Sequence, residues 1–204
     1  GRVIGGTAGV GETDITALEF GSINADNIQF GGTQTGAIRL LLSIAGDSLG
    51  ISSIAFVSTG SFTSTSASLT GFQTIGFAVE NFVISGTAFV GGDTIEFQQI
   101  NSGTIDIGGV DGAGTLGISN AEFGQMSFLN LRFGRSTLND AGTLVGTVLV
   151  NRNTEVFSSD FSFIEINATS LTTNNNLGAD LALFINADEI NFGAAPVYAD
   201  YVRI

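Results

Sequence analysis

The chain has no cysteine, histidine or tryptophan, and only one proline and one methionine among 204 residues. Lysine is missing as well: the six basic residues are Arg2, Arg39, Arg132, Arg135, Arg152 and Arg203. Each absence removes a class of chemistry. Without cysteine there is no disulfide framework, no thiolate nucleophile and no thiolate-bound zinc. Without histidine or lysine, a serine or threonine hydroxyl lacks its usual side-chain base. Six arginines against 19 Asp and Glu leave a net charge of -13, so no basic surface is available for a phosphate backbone and nucleic acid is not an expected partner. The longest strongly apolar runs, at 40–46 and 143–150, fall well short of the roughly 18–20 residues of a membrane helix, and no membrane span is expected. An outer-membrane barrel would need interfacial girdles of Tyr and Trp, which two tyrosines cannot supply.

What is present points to strands. The chain is 43% hydrophobic and 12% charged, the reverse of a disordered acidic segment. Its apolar residues are mainly Ile, Val, Leu and Phe, and the remainder is rich in Gly, Thr, Ser and Asn, which are strand-forming and turn-forming types respectively. The expected class is all-β. The length suits one core, divided as an N-terminal arm over 1–14, serving as a donor or capping strand, and a single all-β repeat domain over 15–204. An opening Gly1 is what a processed or partial chain would show. A chain without thiols to oxidise, and with only Arg for trypsin-like proteases, suits long exposure outside the cell.

The most informative feature is a degenerate repeat. EFGSINADNIQFGG at 19–32 aligns without a gap to EFQQINSGTIDIGG at 96–109 and EFGQMSFLNLRFGR at 122–135. One column holds Glu19, Glu96 and Glu122, and the next Phe20, Phe97 and Phe123. Apolar columns follow at Ile23, Ile100 and Met126, at Ile28, Ile105 and Leu131, and at Phe30, Ile107 and Phe133, closed by Gly31, Gly108 and Gly134. LALFINADEINFG at 181–193 contributes Ile185, Ile190, Phe192 and Gly193; SFIEINATSLTTN at 162–174 keeps Phe163, Ile166 and Leu171; VENFVISGTAFVGG at 79–92 is a weaker copy. Apolar residues two apart share one face of a strand, and the Asn-Ala-Asp-Asn stretch at 24–27 reads as a polar turn. Each unit is strand, corner, strand, Gly. A β-solenoid-like stack of such units buries like residues against like. The alternative is a sandwich or hairpin meander with a strand-exchanging terminus; the uneven spacing of the copies leaves it open.

Candidate chemistry is sparse. Glu19, Glu96 and Glu122 form a carboxylate row, but each adjoins an inward Phe and so should face solvent. Catalysis by it is not expected, and no catalytic residue is assigned. Asp93 in GGDTIEF and Asp111 in GGVDGAG are weak calcium candidates, because the Gly-Gly-Asp pattern is similar to that of nonapeptide calcium repeats while the tandem nine-residue spacing is missing. A structural Ca²⁺ is therefore the only cofactor considered. Asn167-Ala168-Thr169 matches an N-glycosylation acceptor. The Ser/Thr clusters at 58–70 and 168–173 raise ice or sugar binding, but no regular ladder of them repeats.

Apolar strands at both termini invite pairing with a second subunit: Val3, Ile4 and Val10 at the start, Tyr198, Tyr201, Val202 and Ile204 at the end. The Gly-, Thr-, Asn- and Phe-rich, Lys-poor and Cys-free repeat resembles, at the level of a class, the bacterial or archaeal surface β-solenoid and filament proteins. That resemblance implies a secreted, non-enzymatic subunit of a fibre, pilus-like appendage or surface matrix, with itself as principal partner. A surface adhesin that binds glycans is the second reading.

Overall fold

The computed structural model describes residues 2–4, 13–33, 35–101, 103–134, 145–152 and 162–204. Strands β1 (Arg2–Ile4) and β2 (Thr13–Ile15) precede the one-turn helix α1 (Ala17–Phe20); β3 (Asn27–Gly32), β4 (Ile38–Leu40) and β5 (Ile44–Ala45) lead to α2 (Gly46–Leu49). Three long strands follow, β6 (Ser53–Ser64), β7 (Ser68–Ile84) and β8 (Phe89–Gln98). Then come β9 (Thr104–Ile107), β10 (Thr115–Ile118), α3 (Asn120–Phe123), β11 (Met126–Ser127) and β12 (Asn130–Phe133). The last part holds β13 (Val145–Val150), β14 (Phe163–Thr173), β15 (Leu177–Gly178), β16 (Ala182–Asn191), β17 (Val197–Tyr198) and β18 (Tyr201–Arg203).

The protein is all-β, built on one large parallel sheet that does not close on itself. Consecutive strands of a hairpin meander would pair antiparallel. Among the described residues every strand pair is parallel, and the single antiparallel contact is an isolated bridge, Gly112 to Thr115. The meander alternative therefore fails on strand direction, which a period of two does not encode.

Register fixes which side chains meet. In the first set of aligned strands, Ile28, Ile54, Ile75, Ile95, Leu131, Ile164, Leu183 and Val202 are successive partners. Two residues on, Phe30, Phe56, Phe77, Phe97 and Phe133 form a second row that continues as Ile166 and Ile185. The phenyl rings stack along it. Centroids of Phe20, Phe30, Phe56, Phe77, Phe97 and Phe133 lie 5.7, 5.7, 5.5, 5.6 and 6.0 Å apart in turn. These distances exceed the strand spacing of ~4.8 Å because the rings are offset rather than eclipsed, the arrangement their quadrupoles prefer.

The long strands bend to serve more than one set. Between Ser58 and Ser61 the register of β6 against β7 shifts, a bulge that turns the chain. Beyond it Ile38, Phe62 and Phe82 form a row in a second set, with Phe62 and Phe82 stacked at 5.8 Å. That set continues through β10, β9, β13 and the ends of β14 and β16. A third, shorter set places β5 against the start of β7, then the start of β8, then β11. The inward sides of the sets share one continuous core. In β6, residues 53–58 are buried on both faces.

The repeat is visible in these registers, but not in one frame. The copies at 162 and 181 stand side by side: Ile166 pairs Ile185, Ala168 pairs Ala187 and Leu171 pairs Ile190. The copies at 19 and 122 match element by element, each a one-turn helix ending in a buried Phe, then a strand, then a Gly with φ near +90°. That φ suits Gly alone. The copy at 96 is displaced: Phe97 stacks with Phe77 and Phe133 from within a strand, so it takes the place of Phe30 rather than the helix-end place of Phe20 and Phe123. Its Ile105 and Ile107 pair instead with Val148 and Val150 in the second set.

Candidate functional site

Most repeat positions are consumed by the core. Phe20, Phe30, Phe97, Ile105, Ile107, Phe123, Leu131, Phe133 and Ile185 are buried, while Ile23, Ile28, Met126, Ile190 and Phe192 are half-buried against them. Ile100 sits half-buried in the turn after β8. The carboxylate row does not exist as a row. Glu19 is exposed and closes the turn of α1, accepting from the Thr16 N–H at 2.9 Å and the Thr16 hydroxyl at 2.8 Å, bonds that hold its carboxyl below the usual range. Glu122 plays the same part in α3, in a reciprocal capping box with Ser119.

Glu96, expected to face solvent, is completely buried. Its carboxylate meets Arg132 at 2.9 Å, and Arg132 lies 3.1 Å from Glu165. These three occupy one register column, with the aligned residues directly opposite on neighbouring strands. Asn167 donates to Glu165 at 3.0 Å and is itself buried, so its amide nitrogen is held inside the fold rather than offered to a glycosyl carrier. Within the hydroxyl clusters, Ser58 and Ser64 are buried and donate to backbone carbonyls of Gly36 and Ala67, and buried Thr173 donates to Phe192, whereas Thr65, Ser66 and Thr169 are exposed.

The two calcium candidates lie apart in function. Asp93 is exposed. Asp111 spends both carboxylate oxygens on backbone donors, the Gly117 N–H at 2.9 Å and the Phe82 N–H at 3.1 Å. It bridges β7 and β10, which share no ladder bonds. Partial burial, reinforced by the nearby Glu122 carboxylate, raises its pKa to about 6 against those two bonds. Among the described residues no group of three or more acidic side chains is placed to hold a metal ion, and no helix is long and apolar enough to cross a membrane.

The terminal residues separate into two kinds. Ile4 is fully buried and β1 pairs within the chain's own sheet, between β2 and β4; the expected N-terminal arm is not available there to a neighbour. Val3 takes its register place opposite Asp14 and Arg39, and Val10 lies outside the described residues. The other end is open. Leu183 is fully buried, yet its partner Val202 on β18 is 41% exposed, with Tyr198 at 46%, Tyr201 at 55% and Ile204 at 71%. β18 pairs only with β16, and no described strand covers its far edge.

No protein family, curated protein or solved structure matches the chain. What this end can do follows from its own chemistry. At the opposite end of the first set, Phe20 from α1 seals the phenyl row, while the outer edge of β3 likewise meets no described strand. Among the described residues the set thus begins and ends on edges that pair with no further strand, and a parallel strand added to either would continue the ladder. The apolar side chains at β18 had a signal in the sequence, a strand-like run from Tyr198 to Ile204. The Glu96–Arg132–Glu165 column had one too, since each precedes a Phe or Ile of the phenyl row; it was masked by the displaced copy at 96.

Proposed function

We propose that the chain winds as a β-solenoid through its three strand sets, and that it is a structural subunit of a secreted fibre or surface matrix, stacking end to end with copies of itself. The observation that carries this reading is the bare β18 edge, with Tyr201, Val202 and Ile204 exposed beside a buried core. Registered partners stepping by 21, 20, 19 and 19 residues at Ile54–Ile75–Ile95, Ile164–Leu183 and Ala182–Tyr201 support a winding of about twenty residues per turn. The intervening longer steps then hold insertions. A head-to-tail contact between unlike ends generates filaments wherever its rotation does not close into a ring. The resemblance to surface filament proteins and the lack of thiols and lysines support an extracellular setting.

Negative-stain microscopy and light scattering over a wide concentration range test the reading. The unaltered chain is expected to form linear assemblies, and Val202→Lys, which places a charge at the exposed edge, to remain monomeric with unchanged far-ultraviolet circular dichroism. Monodisperse monomers at every concentration, or assemblies unaffected by Val202→Lys, would overturn it.

A further inference from the structure

Away from the open end, the third strand set floors a cleft of about 930 Å³. It runs across the stacked strands, from α2 over the starts of β7 and β8 to β11. The three strands β7, β8 and β11, two spacings apart in all, make that floor ~10 Å across. Glycine keeps it open: a Cβ on Gly91 would stand 2.7 Å from the Phe89 ring. One edge of the ring packs close to Gly91, and Phe89, 38% exposed, lines the cleft. Leu129, also exposed, extends the apolar lining.

The polar lining is unspent. The side chains of Asp47, Gln73 and Asp93 are exposed and make no hydrogen bond with described residues. The carboxylates accept only, whereas the Gln73 amide both donates and accepts, as do the hydroxyls of Thr70 and Ser127. Among the described residues no cation lines the cleft, and the chain carries a net charge of -13, so a phosphorylated, sulfated or uronate ligand would meet repulsion. A ligand that is flat and apolar on one face and ringed by hydroxyls, which donate and accept, matches this lining. A purely cationic ligand would leave the Gln73 amide N–H and the hydroxyl O–H donors of Thr70 and Ser127 unused. Size and mixed lining are those of ordinary ligand sites.

We propose that this cleft binds a neutral oligosaccharide, with one sugar ring stacked on Phe89 and its hydroxyls bonded to Asp47, Asp93 and Gln73. The site does not depend on end-to-end stacking, because none of its residues belongs to β18, and the Val202→Lys chain keeps it intact.

The test is isothermal titration calorimetry of the full chain and of Val202→Lys with tetrasaccharides of glucose, xylose and mannose, and with tetragalacturonate and an octa-arginine peptide as contrasts. At least one neutral tetrasaccharide is expected to bind both chains equally, with tetragalacturonate weaker by tenfold or more. Phe89→Ala is expected to lower the affinity at least tenfold, and the exposed double substitution Gln73→Ala with Asp93→Ala by a similar factor without changing the melting temperature. Failure of all neutral tetrasaccharides to bind overturns the proposal, as does binding indifferent to both variants or a preference for octa-arginine.

Discussion

Asp111 shows how one side chain can take the place of a ladder. The second strand set is interrupted between β7 and β10, and the carboxylate spans the gap by accepting from Phe82 and Gly117. Its pKa stands at about 6 against an ordinary 3.8, and that of Glu122 is raised as well, mainly by burial. A group with a raised folded-state pKa binds its proton more tightly in the fold than in the unfolded chain. Its contribution to stability is therefore complete below about pH 4 and is lost as pH rises through about 6. Urea denaturation of the wild type and Asp111→Ala should show the stability gap between them narrowing from pH 4.5 to pH 7.5; a gap that widens would refute the assignment. The Glu96–Arg132 pair makes the complementary case. Arg132→Ala removes the arginine from a buried carboxylate and is expected to cost about 3 kcal/mol by chemical denaturation, part of which Glu96→Gln recovers in the same background. The sequence places each member of the Glu96–Arg132–Glu165 column before a Phe or Ile, but shows neither its burial nor the partners of Asp111. Alternation put Glu96 on the face away from Phe97, which is correct, but whether that face is wet depends on what packs over it.

Among the elements, the phenyl row carries most of the order. Phe77 is its centre, stacked between Phe56 and Phe97 and touching Phe62 and Phe82 edgewise or tilted. Phe77→Ala empties a fully buried site and is expected to lower stability by about 4 kcal/mol, whereas the same change at Phe89, on the cleft surface, should leave the melting temperature nearly unmoved. Thermal melts of the two variants compare them directly. In the sequence these strands show as a period of two with terminal glycines, and the copies at 162 and 181 align in the register they adopt. The frame fails at 96, because Glu-Phe occurs both where a one-turn helix ends, at Glu122-Phe123, and inside a strand, at Glu96-Phe97. Local sequence is the same in both places; the difference lies in which neighbour the Phe meets.

For the whole molecule, charge and edge act against each other. With a net charge of -13, two copies repel at long range, and salt shortens that repulsion to roughly 8 Å at physiological strength. Assembly monitored by light scattering should accelerate when sodium chloride is raised from low to physiological concentration, and should do so without a change in the final filament diameter; slowing by salt would mean that ion pairs, not the β18 edge, hold the contact. The all-β class and the apolar C-terminal run were readable from composition and pattern. The parallel direction of the strands, the closure of β1 into its own sheet and the cleft over Gly91 were not, since each depends on residues far apart in the chain.

The first strand set is sealed at one end by Phe20 and ends at the other on β18, where Val202 is exposed. A particle made this way has a head and a tail. Copies lacking β18 would still dock their heads on a growing tip but leave nothing for the next to grip, so a small fraction of them, mixed with intact chains, should act as chain terminators and set the mean length of the thread.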